Sequence, residues 1–206
     1  MRKAFKIIKL NQKSPNYYFN NIAKIHKNEI DSGFLSTFGI QFLCRLYKSI
    51  ASSKYSFVFA AIYEDELIGF ICGSTNTKMV YLYFILNNGF AIIPVLLKKF
   101  MKPKWIWRIL ETFVYPNRKD IVALPKSEIL NFCVRNKFQG KGVGQQLFQF
   151  MIDEFHNRNI NNFKIITGAT QIKAQRFYHQ MGARLVSGIE VHRGIQSLLY
   201  VYRCIN

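Results

Sequence analysis

The stretch that most constrains the fold lies at residues 130–144, Leu-Asn-Phe-Cys-Val-Arg-Asn-Lys-Phe-Gln-Gly-Lys-Gly-Val-Gly. It begins as an apolar strand, passes through a polar turn and reaches alternating Gly140, Gly142 and Gly144 before a helical pattern. Glycine leaves room for a ligand to approach the backbone closely. Because main-chain amides at a helix N-terminus bind anions, the stretch predicts a strand–loop–helix unit that holds a phosphate-bearing ligand.

The spacing of the glycines separates the common kinds of phosphate loop. A Walker loop requires Gly-x-x-x-x-Gly-Lys-Ser/Thr, whereas Lys141 is followed here by Gly142. A dinucleotide loop requires Gly-x-Gly-x-x-Gly and a carboxylate about twenty residues further on. In this chain the third glycine comes one residue early, and residues 160–164 contain no carboxylate. The sequence therefore disfavours nucleoside triphosphate and NAD sites.

Composition favours polyanionic ligands in a cytoplasmic protein. The 206 residues include 29 Lys and Arg against 11 Asp and Glu, which gives a formal net charge of +18. Such a charge attracts nucleic acid, anionic lipid or small phosphorylated ligands, and its spread along the chain favours the small ligands. The four cysteines are far apart and form no CxxC pair, which is typical of reduced core cysteines in the cytoplasm.

Hydrophobic periodicity predicts one α/β domain over residues 1–206. Strands are predicted at residues 4–10, 55–63, 67–72, 128–134, 163–167, 184–191 and 197–204. Helices are predicted at residues 17–29, 38–50, 142–157 and 171–181. The last two strands are candidates for pairing across a homodimer.

Residues 76–126 depart from this pattern and predict an inserted helical subdomain. Short apolar helices are expected at 81–85, 90–100 and 105–113, with breaks at residues 87–89 and at Pro103. The apolar run is interrupted and is shorter than the roughly 20 residues that a membrane span needs. Its lysines and arginine are typical of a solvated rim and leave peripheral contact with a membrane surface open.

Two motifs together resemble a known superfamily. Gln139-x-x-Gly142-x-Gly144, after a strand that ends at Val134, resembles the acyl-CoA loop of the GCN5-related N-acetyltransferase (GNAT) superfamily. Downstream, Ala174-x-x-Phe177-Tyr178-x-x-x-Gly182 is similar to the superfamily's helix after the fifth strand. Their separation and the order of the elements also match.

The resemblance implies a fold and a reaction. The fold is α/β, with a mixed, mostly antiparallel sheet flanked by helices and a helical insertion between strands 3 and 4. The reaction is direct transfer of an acyl group from acetyl-CoA or another short acyl-CoA to an amine, without a metal. The sequence departs from the family pattern at Asn136, Gln171 and Ala183, where relatives often have Pro, Asn and an aromatic residue.

The resemblance also assigns site residues. Those implied in acyl-CoA binding are Cys133, Val134, Gln139, Gly140, Lys141, Gly142, Val143, Gly144, Gln171, Ala174 and Phe177. Tyr178 matches the general acid that protonates the departing CoA thiolate. The base stays open: Glu128 can accept a proton, Asn131 can position water or substrate, and His179 is a third candidate.

The acceptor is implied by weaker likenesses. Residues 26–50 and the insertion at 76–126 are similar to segments of GNAT proteins that acylate amino sugars for bacterial surface polysaccharides. A nucleotide-linked amino sugar, with dTDP-linked sugars preferred, would be a second polyanionic substrate and fits the charge of +18. The alternatives are a protein or peptide amine, and a non-enzymatic nucleic-acid-binding protein on a GNAT scaffold. The intact glycine loop and Tyr178 disfavour the nucleic-acid alternative.

Overall fold

Seven strands and five helices make up the part of the chain described by the computed structural model, which comprises residues 5–30, 34–100, 124–192 and 195–204. The strands are β1 (Lys6–Leu10), β2 (Ser56–Tyr63), β3 (Glu66–Ser74), β4 (Glu128–Val134), β5 (Asn162–Gly168), β6 (Arg184–His192) and β7 (Ile195–Arg203). The helices are α1 (Asn16–Glu29), α2 (Ile40–Ser52), α3 (Thr77–Phe100), α4 (Val143–Asn157) and α5 (Ile172–Gln180). Short 3-10 helices lie at Phe34–Phe38 and Asn136–Phe138.

The seven strands form one sheet in the order β1-β2-β3-β4-β5-β7-β6. Each neighbouring pair is antiparallel except β4 and β5, which run parallel. The two residues between β2 and β3, Glu64 and Asp65, have φ of 45° and 63°, the conformation that suits a tight hairpin between twisted strands. The predicted mixed, mostly antiparallel sheet is confirmed.

The parallel pair β4 and β5 is short, and the strands then diverge. Its register consists of Glu128 opposite Lys164 and Ile129 opposite Ile165. On its other side β4 contains a bulge, because Gly73 pairs with Ile129 while Cys72 pairs with Asn131. From the bulge onward, the β5-facing edge of β4 borders a gap in the middle of the sheet.

Each face of the sheet carries its own hydrophobic core. One core lies under α1, α2 and α3 and includes Phe19, Leu43 and Phe70. The other lies under α4 and α5 and includes Phe148 and Phe163. Close packing on this second face requires a glycine in β3, since a Cβ at residue 73 would lie 2.4 Å from the Met151 sulfur. The two cores hold the central strands rigidly on both sides of the gap.

The insertion begins between β3 and β4, as predicted, but its first part is one helix. The sequence predicts a break at residues 87–89, whereas α3 runs through them without interruption. The Asn87 side chain donates to the Tyr83 carbonyl at 2.8 Å, and Asn88 donates to the Phe84 carbonyl at 3.1 Å. Asn88 also donates to the Ser49 hydroxyl of α2 at 2.8 Å. These bonds satisfy side chains that would otherwise favour a turn.

The other predicted elements agree with the observed ones to within two residues at each end. The helix expected at residues 105–113 lies outside the described residues. Within the described ranges, no helix is both long and apolar enough to cross a membrane.

Candidate active site

A cleft of about 860 Å³ occupies the gap between β4 and β5. Its walls are formed by the two diverging strands, the glycine loop, α5 and the end of α1. Of the fourteen residues predicted for the site, eleven line this cleft. They are Asn131, Cys133, Val134, Gln139, Gly140, Gly142, Gly144, Gln171, Ala174, Phe177 and Tyr178. The other three, Glu128, Lys141 and Val143, lie outside its walls.

The glycine loop presents backbone to the cleft. Gly140 and Gly142 have φ of 72° and 84°. Residues other than glycine rarely adopt this left-handed conformation. A Cβ built at either residue would have no described protein atom within 4 Å, so the space beside both glycines is open. Among the described residues, no side chain caps the start of α4 at Val143. The amides there are therefore available to an anion, and the helix dipole favours one.

The turn between β4 and the glycine loop is held by side chains. Gln139 donates from Nε2 to the Val134 carbonyl at 2.9 Å. Glu66 on β3 accepts from Arg135, and its carboxylate lies 3.1 Å from the Lys137 Nζ. Gln139 therefore stabilises the loop and also lines the cleft.

Two predicted loop residues have other environments. Lys141 is exposed, and its Nζ lies 5.4 Å from the centroid of the Phe138 ring. Val143 is buried in the core under α4. Gln171 does line the cleft, but its Oε1 accepts from the Thr167 hydroxyl at 2.7 Å and from the Gly168 amide at 3.3 Å. Its oxygen therefore closes the turn between β5 and α5.

Tyr178 reaches the cleft from the α5 face of the sheet. Its side chain is 6% exposed, and its ring packs 5.7 Å from Phe177 and 6.2 Å from Phe148, between ring centroids. Burial, and to a smaller extent the neighbouring Cys133, raises the pKa of Tyr178 above its ordinary value. The hydroxyl is therefore protonated at neutral pH and can donate a proton into the cleft.

Asn131 and Cys133 face the cleft from the opposite side of the sheet. Side chains alternate along a strand, and Phe132 packs into the α4 core while Cys133 packs against the α1 core. Asn131 therefore lies on the α1 face with Cys133. Burial, and then the charge of Glu29, raises the pKa of Cys133 to about 12, so this thiol stays neutral. A reactant in the gap would meet Tyr178 on one face and Asn131 on the other.

Glu128 is buried at the start of β4 and not at the cleft surface. It accepts a hydrogen bond from the Thr77 hydroxyl at 2.9 Å, and its carboxylate lies 3.5 Å from the Lys164 Nζ. Burial raises the pKa of Glu128, while Lys164 and Thr77 oppose that rise. His179 is exposed on α5 and also lies outside the cleft walls.

Sequence reasoning missed Glu29, the last residue of α1, which lines the cleft. No motif of the sequence includes Glu29, and the available signal was only that acidic residues are scarce in this chain. Glu29 also lines a second hollow of about 400 Å³. The walls of this second hollow are formed by Lys24, Ile25, Asn28, Glu29, Arg135, Asn136 and Lys137. Glu29 and Asn136 belong to both cavities.

The residues present fit an acyl-CoA. The open backbone of the glycine loop suits a pyrophosphate, and the gap beside β4 offers main-chain groups to an extended pantetheine arm. Within the described ranges, no group of three His, Cys, Asp or Glu side chains is placed to hold a metal ion.

Comparison with known proteins agrees with this geometry. Residues 28–183 match the Acetyltransferase (GNAT) family. A search of curated proteins gives no match.

Several solved structures share the fold. A probable acetyltransferase from Staphylococcus epidermidis is 18% identical, with 97% of this chain and 99% of that chain covered and a TM-score of 0.58. The PaiA N-acetyltransferase from Thermoplasma acidophilum, in complex with coenzyme A, is 11% identical, with 97% and 99% covered and a TM-score of 0.60. NAA60 from Arabidopsis thaliana, in complex with a bisubstrate analogue, is 14% identical, with 97% and 98% covered and a TM-score of 0.59. The chain belongs to the Acetyltransferase (GNAT) family and is an N-acyltransferase that uses an acyl-CoA as donor.

Proposed function

We propose that this N-acyltransferase transfers an acetyl or slightly larger acyl group from CoA to the amine of a nucleotide-linked amino sugar, with dTDP-linked sugars as the first candidates. The observation that carries the acceptor class is the second hollow. It adjoins the cleft and is lined by Lys24, Arg135 and Lys137.

The donor would lie along β4. The β5-facing edge of residues 131–134 would bind the pantetheine arm through main-chain N–H and C=O groups, and the Val134 carbonyl would do so while it also accepts from Gln139. The amides of Gly140, Gly142 and the first turn of α4 would hold the pyrophosphate, because they lie at a helix N-terminus. Phe177, whose ring lies 3.4 Å from a Cβ built at Gly144, would keep the loop packed against α5.

Tyr178 would act as the general acid. The neutral amine attacks the thioester carbon, the new C–N bond forms, and the C–S bond breaks. The leaving thiolate takes a proton from the Tyr178 hydroxyl. The proton that the amine nitrogen gives up passes to water, and the Tyr178 phenolate recovers a proton from water, so that the enzyme is regenerated. A thiol has a pKa of about 8.5, so protonation by Tyr178 supplies part of the rate enhancement and not all of it.

On the opposite face, Asn131 would orient the attacking amine. Glu128 stays a prediction as the base, and its burial beside Thr77 and Lys164 means that the proton would have to reach it through an intervening water. The partners of Glu128 also give it a structural role, because they join the start of α3 to β4 and β5.

The charge of the second hollow supports an acceptor with a diphosphate. Arg135 and Lys137 share the single carboxylate of Glu66, so one positive charge of this pair is not neutralised. Lys24 adds a further positive charge on the exposed side of α1, which exceeds the one negative charge that Glu29 brings to the hollow. Cations that surround a cavity bind phosphate oxygens through charge-assisted hydrogen bonds. The overall charge of +18 increases the local concentration of such an anion.

A thiol-release assay tests the proposal. Acetyl-CoA and longer acyl-CoAs are combined with dTDP-linked and UDP-linked amino sugars and with unblocked peptides. We expect turnover on a nucleotide-linked sugar, together with thermal stabilisation by acetyl-CoA and by that sugar. Turnover on peptides alone would overturn the acceptor assignment, and stabilisation by DNA or RNA alone would overturn the enzymatic role.

A pair of variants locates the acceptor. Lys24→Gln is expected to raise the KM for the nucleotide-linked sugar about tenfold and to leave the KM for acetyl-CoA unchanged, since one phosphate contact is lost. The matched control is Lys13→Gln, which removes the same charge at an exposed residue before α1. Equal effects of the two variants would exclude the second hollow as the binding site.

A further inference from the structure

We propose that Glu29 binds the amine of the acceptor in its ammonium form and brings it to the gap between β4 and β5. This inference rests on the proposed N-acyl transfer, but it does not require the acceptor to be a sugar.

Glu29 lies at the junction of the two cavities. Among the described residues that line the main cleft, Glu29 alone is acidic and Lys173 alone is basic. Glu29 also lines the second hollow, so it stands where the two cavities meet. In a chain with 11 acidic and 29 basic residues, a carboxylate at this junction is a local exception to the prevailing positive charge.

The Glu29 carboxylate has no structural partner among the described residues. In the described part of the chain, Glu29 forms no ion pair and no side-chain hydrogen bond, whereas Glu66, Glu128 and Glu154 are each paired with lysine or arginine. Glu29 is half-buried, so it is partly removed from solvent without an ion pair to any described residue. A group in this state is ready to accept a charged ligand.

Glu29 lies at a position of its helix that does not favour a carboxylate. It is the last residue of α1, where the free carbonyl groups make a negative charge unfavourable. Such a charge costs stability, and no described ion pair offsets it. Residues that lower the stability of a protein and have no structural role are characteristic of functional sites.

The charge of Glu29 also affects the gap between β4 and β5, where the reaction would take place. Glu29 and Cys133 both line the main cleft, and the charge of Glu29 contributes to the raised pKa of Cys133, after the larger effect of burial. Glu29 faces the gap from the α1 side, as Asn131 does, and thus opposite Tyr178. An amine held by Glu29 would approach the thioester carbon from the side away from the proton donor for the thiolate.

The chemistry requires such a group. Primary amines are mostly protonated at neutral pH, and a protein of charge +18 repels an ammonium ion. A carboxylate at the entrance provides a local attraction through a charge-assisted hydrogen bond. As the ammonium moves beside Ile129 and Leu130, desolvation favours its neutral form. The proton leaves to solvent at the partly exposed carboxylate, and the neutral amine attacks.

Steady-state kinetics of Glu29→Gln tests this role, with Asp153→Asn as the matched control. Asp153 is exposed on α4, away from the cleft, and its oxygen accepts from Gln149. The acceptor probes are a dTDP-linked 4-amino sugar and an unblocked tetrapeptide, each at saturating acetyl-CoA. We expect the acceptor KM of Glu29→Gln to rise about tenfold or more, with the Kd of acetyl-CoA unchanged and the control equal to wild type.

Two further measurements separate binding from folding. The Tm of Glu29→Gln is expected to equal or exceed that of wild type, because a helix C-terminus loses a negative charge. Titration with the amino sugar and with its hydroxyl analogue should show that wild type prefers the amine and that the variant does not. An acceptor KM within twofold of wild type, or an intact preference for the amine, would overturn the proposal. If wild type turns over neither probe, the proposed function fails, and the titration still decides the role of Glu29.

Discussion

Acidification is expected to destabilise the protein through His26, a buried residue of α1. The side chain is 1% exposed, and its Nδ1 is hydrogen-bonded to the Tyr47 hydroxyl. Within the described residues, its Nε2 is a buried polar atom without a partner. Burial lowers the pKa of His26 from 6.5 to about 4, because the imidazolium would lose its hydration without gaining a counter-ion.

The sign and size of the effect follow from this lowered pKa. The unfolded chain binds a proton on His26 near pH 6.5, whereas the folded protein binds it only near pH 4. Between these values the unfolded state holds more protons, so the free energy of unfolding falls as the pH falls. The full loss amounts to about 3 kcal/mol. That is a large fraction of the roughly 5–15 kcal/mol by which domains are stable.

Urea unfolding of wild type and His26→Gln between about pH 7.5 and pH 4 measures this contribution. Glutamine can hydrogen-bond the Tyr47 hydroxyl and carries no charge. The difference between the two proteins isolates His26, because carboxylates with altered pKa values, Glu128 and Glu154, are present in both. Wild type should lose about 3 kcal/mol more than the variant on acidification. Parallel pH dependences in the two proteins would refute the reasoning.

Three further substitutions test the site itself. Tyr178→Phe is expected to lower kcat by roughly 10²–10⁴ with the Kd of acetyl-CoA unchanged in calorimetry, and unchanged turnover would contradict the role of Tyr178 as acid. Gly142→Ala, at φ of 84°, should weaken acetyl-CoA binding about tenfold or more through backbone strain, whereas Gly188→Ala, in open space, should not. Glu128→Gln should lower the free energy of unfolding by about 3 kcal/mol or more, since it leaves Lys164 buried without a counter-ion. A variant of Glu128 that stays stable but loses turnover would instead support its role as base.

Much of the lining of the cleft could be predicted, because backbone conformation restricts the residue types in the glycine loop. Gly140 and Gly142 adopt positive φ, so glycine is favoured at those positions and the loop can be recognised from its glycines. Tyr178 was recognisable from a second motif at a fixed separation. The strand that carries Glu128 was also predicted, but the residues that contact the Glu128 side chain were not. Thr77 and Lys164 reach it from distant parts of the chain, and such contacts leave no local pattern.

The wrong prediction of a break at residues 87–89 has a similar origin. Asn87 and Asn88 are usually turn formers, and the sequence therefore predicts a break. Their side chains instead bond to carbonyl groups one turn earlier, and Asn88 also contacts Ser49 on α2. A contact between elements thus overrode the local preference.

The two cavities together favour an acceptor that carries both signs of charge. Glu29 suits a cation at the reaction gap, whereas Lys24, Arg135 and Lys137 suit an anion a short distance away. A nucleotide-linked amino sugar has an amine and a diphosphate, a peptide N-terminus requires only the cation site, and nucleic acid requires only the anion site. The acceptor classes therefore differ in their sensitivity to substitution. Loss of acceptor affinity in both Lys24→Gln and Glu29→Gln favours the sugar, and loss in Glu29→Gln alone favours the peptide.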